Sequence, residues 1–270
     1  MSTPATTAAS QIALTHRVPP VFLSANLWVK IAAGVAILVA WQIGVAAYAP
    51  RFVAKPLSIA YVLPTVITDP AFLAAVASTL GAVLQGLLIA MVAGVIMGVA
   101  MGRVKVFDRL LNIYVNGLYA LPMVAVLPLM ATWFGYESNA RLATIVFAAI
   151  FSVAINARDG ARSVPPEYLE VCKAYRAKRR HVWFDVTLHS SLPYLLAGFR
   201  LAAGRALVGA VIAEFFVSLE GVGMYILAHA RAFQHNEAVV GVLALAGFGL
   251  LFEAGMNWIM RRFLPWARRS

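Results

Sequence analysis

Apolar and polar positions alternate along this chain on a long scale, in blocks of twenty residues or more. A bilayer core needs about 20 consecutive apolar residues per helix. Six segments reach or approach that length: 28–48, 76–101, 111–134, 141–157, 193–217 and 237–260. The pattern predicts an all-α integral membrane protein with six transmembrane helices. The one long polar interruption, 156–193, separates the fourth and fifth spans and carries seven Lys/Arg against four Asp/Glu. Residues 1–27 are polar and rich in Ser, Thr and Ala, without the basic-then-apolar order of a signal peptide, and are expected to form a disordered tail ahead of a membrane domain over 28–270.

Inside the polar interruption the residues spell out a helix. Pro165 and Pro166 suit a helix start, where the first N–H has no intrahelical partner. Glu167 and Glu170 follow in the first turns and Lys173, Arg176 and Lys178 toward the end, the order that the helix dipole favours. A short helix outside the membrane, within the loop 157–192, is therefore expected, with a soluble partner to grip it.

Composition agrees with this picture. The chain of 270 residues is 62% hydrophobic and 12% charged, far from the balance of a soluble domain. Its net charge of +11 would suit nucleic acid, but the distribution of the charges argues otherwise. With the N-terminus inside, sixteen Lys/Arg fall on inner segments and only Arg51, Lys55, Arg141 and Arg231 on outer ones. That is positive-inside topology in an inner membrane, with both termini and the 157–192 loop cytoplasmic. A single cysteine, Cys172, excludes a disulfide framework or Cys-rich metal site, and the five histidines show no ligand spacing. No GxxxxGK[ST] loop is present, so ATP hydrolysis of that kind is not expected in this chain. Neither a catalytic constellation nor a metal site is predicted.

Individual positions refine the spans. Gly86, Ala90, Gly94, Gly98 and Gly102 form a small-residue stripe at four-residue spacing, the pattern of a close helix–helix contact. Pro122 and Pro128 should kink the third span. Arg200, Arg205, Glu214 and Glu253 fall within spans or near their ends, where a charge faces the bundle interior, a cavity or a partner. Glu253 is expected to pair with Arg261. Glu214 is placed near the outer end, and the apolar outer segment 218–236 is expected to hold a short surface helix.

Several of these stretches carry a resemblance. They are Leu121-Pro122…Leu127-Pro128-Leu129…Trp133-Phe134-Gly135, Arg162-Ser163-Val164-Pro165-Pro166-Glu167, Leu192-Pro193…Gly198-Phe199-Arg200-Leu201-Ala202, Ala213-Glu214, Gly221-Val222-Gly223 and Arg261-Arg262…Leu264-Pro265-Trp266. In order and spacing they resemble the permease subunits of bacterial ABC importers of type I, in the nitrate/sulfonate/taurine subgroup, and the resemblance implies an importer core over 72–265. The resemblance implies ABC ATPase subunits that bind ATP and Mg, an external solute-binding protein, and a second permease copy as homodimer or heterodimer. It places the "EAA" signature, E-A-A-x3-G-x9-I-x-L-P, on Glu170-Val171-Cys172, with Arg176 at the glycine and His189 at the proline. Glu167, Glu170, Val171, Cys172, Ala174, Tyr175, Arg176 and Ala177 are thereby implied to couple to the ATPase. Pro122, Pro128, Arg205 and Glu214 become pathway candidates, with Gly86, Gly94, Gly98 and Gly102 in helix packing. Arg176 at the glycine position implies a turn that is differently built or shifted. Either the chain fits a co-adapted ATPase, or a more typical second permease completes the pair. The rival reading from the spans alone is a secondary transporter driven by an ion gradient, which would call for inverted repeats that the sequence does not show.

Overall fold

The computed structural model describes residues 22–48, 53–217 and 220–263, and every described element is helical. The chain divides into two units, before and after residue 51. The first contains α1 (Phe22–Tyr48), apolar on all sides and exposed along its described side chains. It starts six residues ahead of the expected span; residues 1–21 of the expected tail lie outside the described residues.

The second unit is built on α3 (Pro70–Arg103), α6 (Ser138–Arg162) and α9 (His189–Val217). Asp69 caps α3 by accepting the Ala71 N–H at 3.0 Å, with Pro70 at the first helical position. The small-residue stripe of α3 lies flat on α6. A Cβ at Gly94 would come within 2.7 Å of Val153 Cβ, and one at Gly98 or Gly102 within 2.7 and 2.6 Å of the Cβ atoms of Ala157 and Ala161. At these contacts only glycine admits the neighbouring helix, so the stripe is a packing face, and the core of Leu87, Ala90, Ile145, Ala149, Val153, Ala202 and Ala206 fills the space around it.

The same contacts set the direction of the chain. Residues 94, 98 and 102 of α3 meet 153, 157 and 161 of α6 in rising order, so the two helices are parallel. On its other side α6 meets α9 in falling order, Gly160 against Ser191, Asn156 against Gly198, Ala148 against Gly209, so this pair is antiparallel. Two parallel helices joined through the chain require a return path between them. That path is α4 (Lys105–Tyr119) and α5 (Met123–Phe134).

Here the structure corrects the sequence. The expected single span over 111–134 is two helices set at 105° to each other. The break falls at Ala120–Pro122, because a residue preceding proline is pushed out of the helical region and Pro122 can only begin a new helix. Pro128 lies inside α5 without ending it. Asp108 near the start of α4 anchors the pair to the end of α6, 2.5 Å from Arg162, while Arg158 bonds Asn112 and lies 3.0 Å from Asp159. Five described helices are long and apolar enough to cross a membrane, or six if the bent pair counts as one crossing. The fourth expected span, 141–157, is a full 25-residue helix.

The remaining elements flank this slab. α2 (Pro56–Thr68), which hydropathy left in a loop, packs with the start of α3 and with α11 (His235–Phe263) around Phe72 and Val240. α10 (Val222–Arg231) is the short helix expected within 218–236. α7 (Pro166–Ala174) is the polar helix expected between spans, with Glu167 in its first turn and Lys173 in its last. After it come one turn, α8 (Arg179–His181), and a π-helical segment, Val182–Leu188, that runs directly into α9. Pro193 lies inside α9 near its start and supplies no N–H, and the π segment ends at Leu188, five residues before it.

Candidate functional site

Three features of the second unit hold the sequence-predicted site residues. The first is at the break in the bent pair. Arg205, half-buried in the middle of α9, lays its guanidinium 3.8 Å above the Tyr119 ring and donates to the Tyr119 carbonyl at 3.3 Å. Tyr119 ends α4, so the cation sits where unpaired carbonyls and the negative end of the helix dipole converge. Around it is a cavity of about 540 Å³, lined by Leu118, Leu121, Met123, Phe147, Phe151, Leu201 and Val208. The arrangement offers one cation in an otherwise apolar and aromatic space, a shape that suits a small anion with an apolar body. Pro122 forms the break beside this cavity, whereas Pro128 lies more than a turn further along α5.

The second feature gathers around Glu214. Sequence position suggested an interfacial carboxylate, but its side chain is fully buried. Thr79 Oγ1 donates to Oε1 at 2.8 Å, the Gly223 N–H donates to Oε2 at 2.8 Å, and Arg141 lies 3.4 Å away. Thr79 in turn accepts the Val222 N–H at 2.9 Å, while Arg141 also donates to Ser78 Oγ at 3.1 Å and to the Glu220 carbonyl at 3.0 Å. One carboxylate thus ties α3, α6, α9 and the start of α10 together, and with Thr79 it satisfies the first two N–H groups of α10. A Cβ at Gly223 would lie 2.9 Å from the carboxylate, and one at Gly221 would overlap it. Thr79, Ser78 and Arg141 escaped the sequence reading. The available signal was the pairing of a buried-span Glu with a Gly-x-Gly seven residues on.

Glu214 and Arg205 are nine residues apart on α9 and take part in different sites. Arg200, the other charge of that helix, pairs with Glu253 of α11. Arg261, the partner expected for Glu253, sits eight residues along the same helix, about 12 Å of rise away, and bonds the Asn257 carbonyl instead.

The third feature is α7 with the turn after it. Tyr168, Val171 and Tyr175, spaced for one helix face, are all exposed, with Glu167 beside Val171 at the edge of that face and Glu170 further round. The turn falls on Arg176, at φ +48°. The Ala177 N–H bonds the Cys172 carbonyl at 2.9 Å and the Arg176 N–H the Lys173 carbonyl at 3.0 Å, the paired bonds of a Schellman ending. The turn is therefore not shifted: an arginine occupies the left-handed position that glycine usually fills. Phe233, at φ +60°, ends α10 in the same way.

Comparison with known proteins completes the description. The model of the family "Binding-protein-dependent transport system inner membrane component" matches residues 86–269, from the middle of α3 through the end of the bundle. The chain belongs to this family of ABC permeases. Among relatives, the permease is 33% identical over 174 residues to the aliphatic sulfonates transport permease protein of Bacillus subtilis (strain 168), covering 64% of this chain and 63% of that one, just short of two thirds. It is 24% identical to the formylaminopyrimidine transport permease protein of Halalkalibacterium halodurans, over 87% of this chain and 94% of the other. The taurine transport system permease protein of Escherichia coli (strain K12) is 27% identical over 80% and 81% of the two chains. In fold, the permease matches a crystal structure of an amino acid ABC transporter with histidines at a TM-score of 0.59 and 16% identity, over 74% of this chain and 98% of that one. The all-helical architecture is thus that of ABC importer permeases, in an inner membrane.

Proposed function

We propose that the permease is the membrane-spanning subunit of an ATP-driven importer of a small anionic solute of the sulfonate, taurine or nitrate kind. An external binding protein delivers the solute, and ATPase subunits in separate chains drive the cycle with ATP and Mg. A second permease copy, identical or related, completes the pathway. The observation that carries this reading is α7, a charged helix between two spans that leaves Tyr168, Val171 and Tyr175 exposed on one face. An apolar helix face outside the bilayer has no reason to stay bare in water, and a partner's cleft would cover it. The basic ends of α3, α6 and α11, at Arg103, Arg158, Arg162, Arg261 and Arg262, support a cytoplasmic location for α7 and for both termini.

In this cycle, ATP binding moves α7, and the motion passes along the unbroken helical run from Arg179 to Val217, 39 residues that also carry Arg205 and Glu214. Rigid-body gating of this kind needs a stiff connection between the driving and gating ends. Arg205 supplies the positive point in the pathway, with the Tyr119 carbonyl holding it in place.

The decisive experiment is copurification of a nucleotide-binding subunit with tagged permease in mild detergent, followed by the same measurement on Glu170→Lys. The reversed charge on α7 is expected to keep the protein in the membrane while uncoupling ATP hydrolysis from uptake. Unchanged uptake at equal expression would remove the coupling role from α7. No copurifying ATPase, with uptake driven by a proton or sodium gradient, would point to a secondary transporter.

A further inference from the structure

Four cations converge at one place, and only Arg176 among them belongs to the set implied to couple to the ATPase. Arg103 at the end of α3, Lys173 near the end of α7, Arg176 in the turn and Arg179 at the start of α8 all line one cavity of about 560 Å³, together with Cys172 and Trp183. Among the described residues none of the four is ion-paired, although Glu167 and Glu170 are only a few residues away. Like charges gathered around one space repel each other unless an anion shares it. The cavity also uses the face of α7 that carries Cys172 and Lys173, not the face of Tyr168, Val171 and Tyr175. A partner gripping the exposed aromatic face would leave it open.

The backbone adds an independent sign. Arg176 holds a left-handed conformation that costs an L-residue about 1 kcal/mol or more and that glycine would adopt freely. A non-glycine residue kept in such a position points to use of its side chain. The placement narrows the ligand. Arg103 closes one membrane span, and Trp183 sits in the π segment that enters another, α9, so the cavity lies at the headgroup level where tryptophan and basic residues belong. Basic pockets between spans at this level take up phosphate headgroups, and guanidinium groups match phosphate oxygens two at a time.

We propose that this cavity binds a phosphate group, that of an anionic phospholipid or the same group free in solution, and that the bound phosphate fixes the turn between α7 and the helix entering the membrane. The proposal rests on the spans and the cavity, and does not depend on the importer reading.

Cys172, the chain's single cysteine, gives a readout that involves neither ATP nor transport. The full chain is reconstituted in vesicles of phosphatidylcholine, of phosphatidylcholine with phosphatidylglycerol, and of phosphatidylcholine with inorganic phosphate in the buffer. The rate of Cys172 alkylation by a neutral maleimide is then compared. Occupancy is expected to slow labelling severalfold, because a bound phosphate shields the thiol that lines the same cavity. In the double variant Arg103→Gln/Arg176→Gln the slowing, measured against that variant's own rate in phosphatidylcholine alone, should vanish, while an unchanged melting temperature shows the bundle still formed. Protection by phosphatidylglycerol only assigns the site to lipid, and equal protection by inorganic phosphate assigns it to the free anion. Equal rates in all three vesicle types overturn the proposal. So does protection that survives in the double variant, or that appears only when the ATPase subunit is added, which would give the four cations to an acidic protein surface.

Discussion

Arg176 and Glu214 show how much a single residue can commit in this bundle. At Arg176 the backbone conformation opposes the residue type, so Arg176→Gly is expected to raise stability by about 1 kcal/mol; thermal unfolding of the purified permease would register the gain. Glu214 is the opposite case, a residue whose surroundings are all built for it. Glu214→Ala would strand the Thr79 hydroxyl, the Gly223 N–H and the Arg141 cation in a buried space, a loss of about 3 kcal/mol or more. Glu214→Gln keeps the volume and an acceptor and is expected to lose less; equal melting temperatures for the two variants would assign the knot's stability to the carboxylate charge rather than to packing or a single acceptor. Neither residue's environment was legible beforehand. The sequence comparison aligned Arg176 with a glycine, but whether the chain would avoid the left-handed turn or accept it depended on two backbone bonds. Glu214 read as interfacial because its partners Thr79 and Arg141 are more than seventy residues away in the chain.

At the level of elements, apolar length and capping chemistry told most of the story. Spans α3, α6, α9 and α11 follow from uninterrupted apolar runs, and α7 from its prolines and charge order. The four-residue glycine spacing identified a contact face without naming its partner. What the pattern concealed was the 105° bend between α4 and α5. Prolines announce a kink, but its angle is set by what each half packs against, here the end of α6 on one side and the Arg205 cavity on the other. The α3–α6 contact yields its own test. Gly98→Val would drive a branched side chain into Ala157 and the Ala154 carbonyl, and overpacking of this kind costs typically 1–3 kcal/mol. Gly81→Ala, on the same helix but with open space around it, should be harmless; the pair of melting curves measures the contact against its own control.

For the molecule as a whole, one helical run links α7, the Arg205 cavity and the Glu214 knot. At 1.5 Å per residue its 39 residues span roughly 60 Å. Function and stability should therefore separate along it. Arg205→Ala is expected to lower uptake of an anionic solute strongly while leaving association with the ATPase subunit unchanged, whereas the Glu214 variants should fail in stability first. Loss of assembly in Arg205→Ala would assign that residue to holding the end of α4 instead. The family and the broad architecture were visible in the order of motifs along the chain. The solute was not, because the cavity offers a charge and a shape but little further chemistry.

The parallel arrangement of α3 and α6 also dictates a timetable. Their contact joins positions 59 apart, and it can close only after α4 and α5 have carried the growing chain back across the bilayer. Until then the glycine face of α3 is bare toward lipid, and the far side of α6 stays uncovered until α9, the last layer of the slab, is made. Domains generally form as synthesis proceeds from the N-terminus. This core is instead completed by late segments, so early translation leaves nothing for a stable intermediate to rest on. Premature termination anywhere before α9 would release a chain that the cell's membrane proteases should recognise as unfinished.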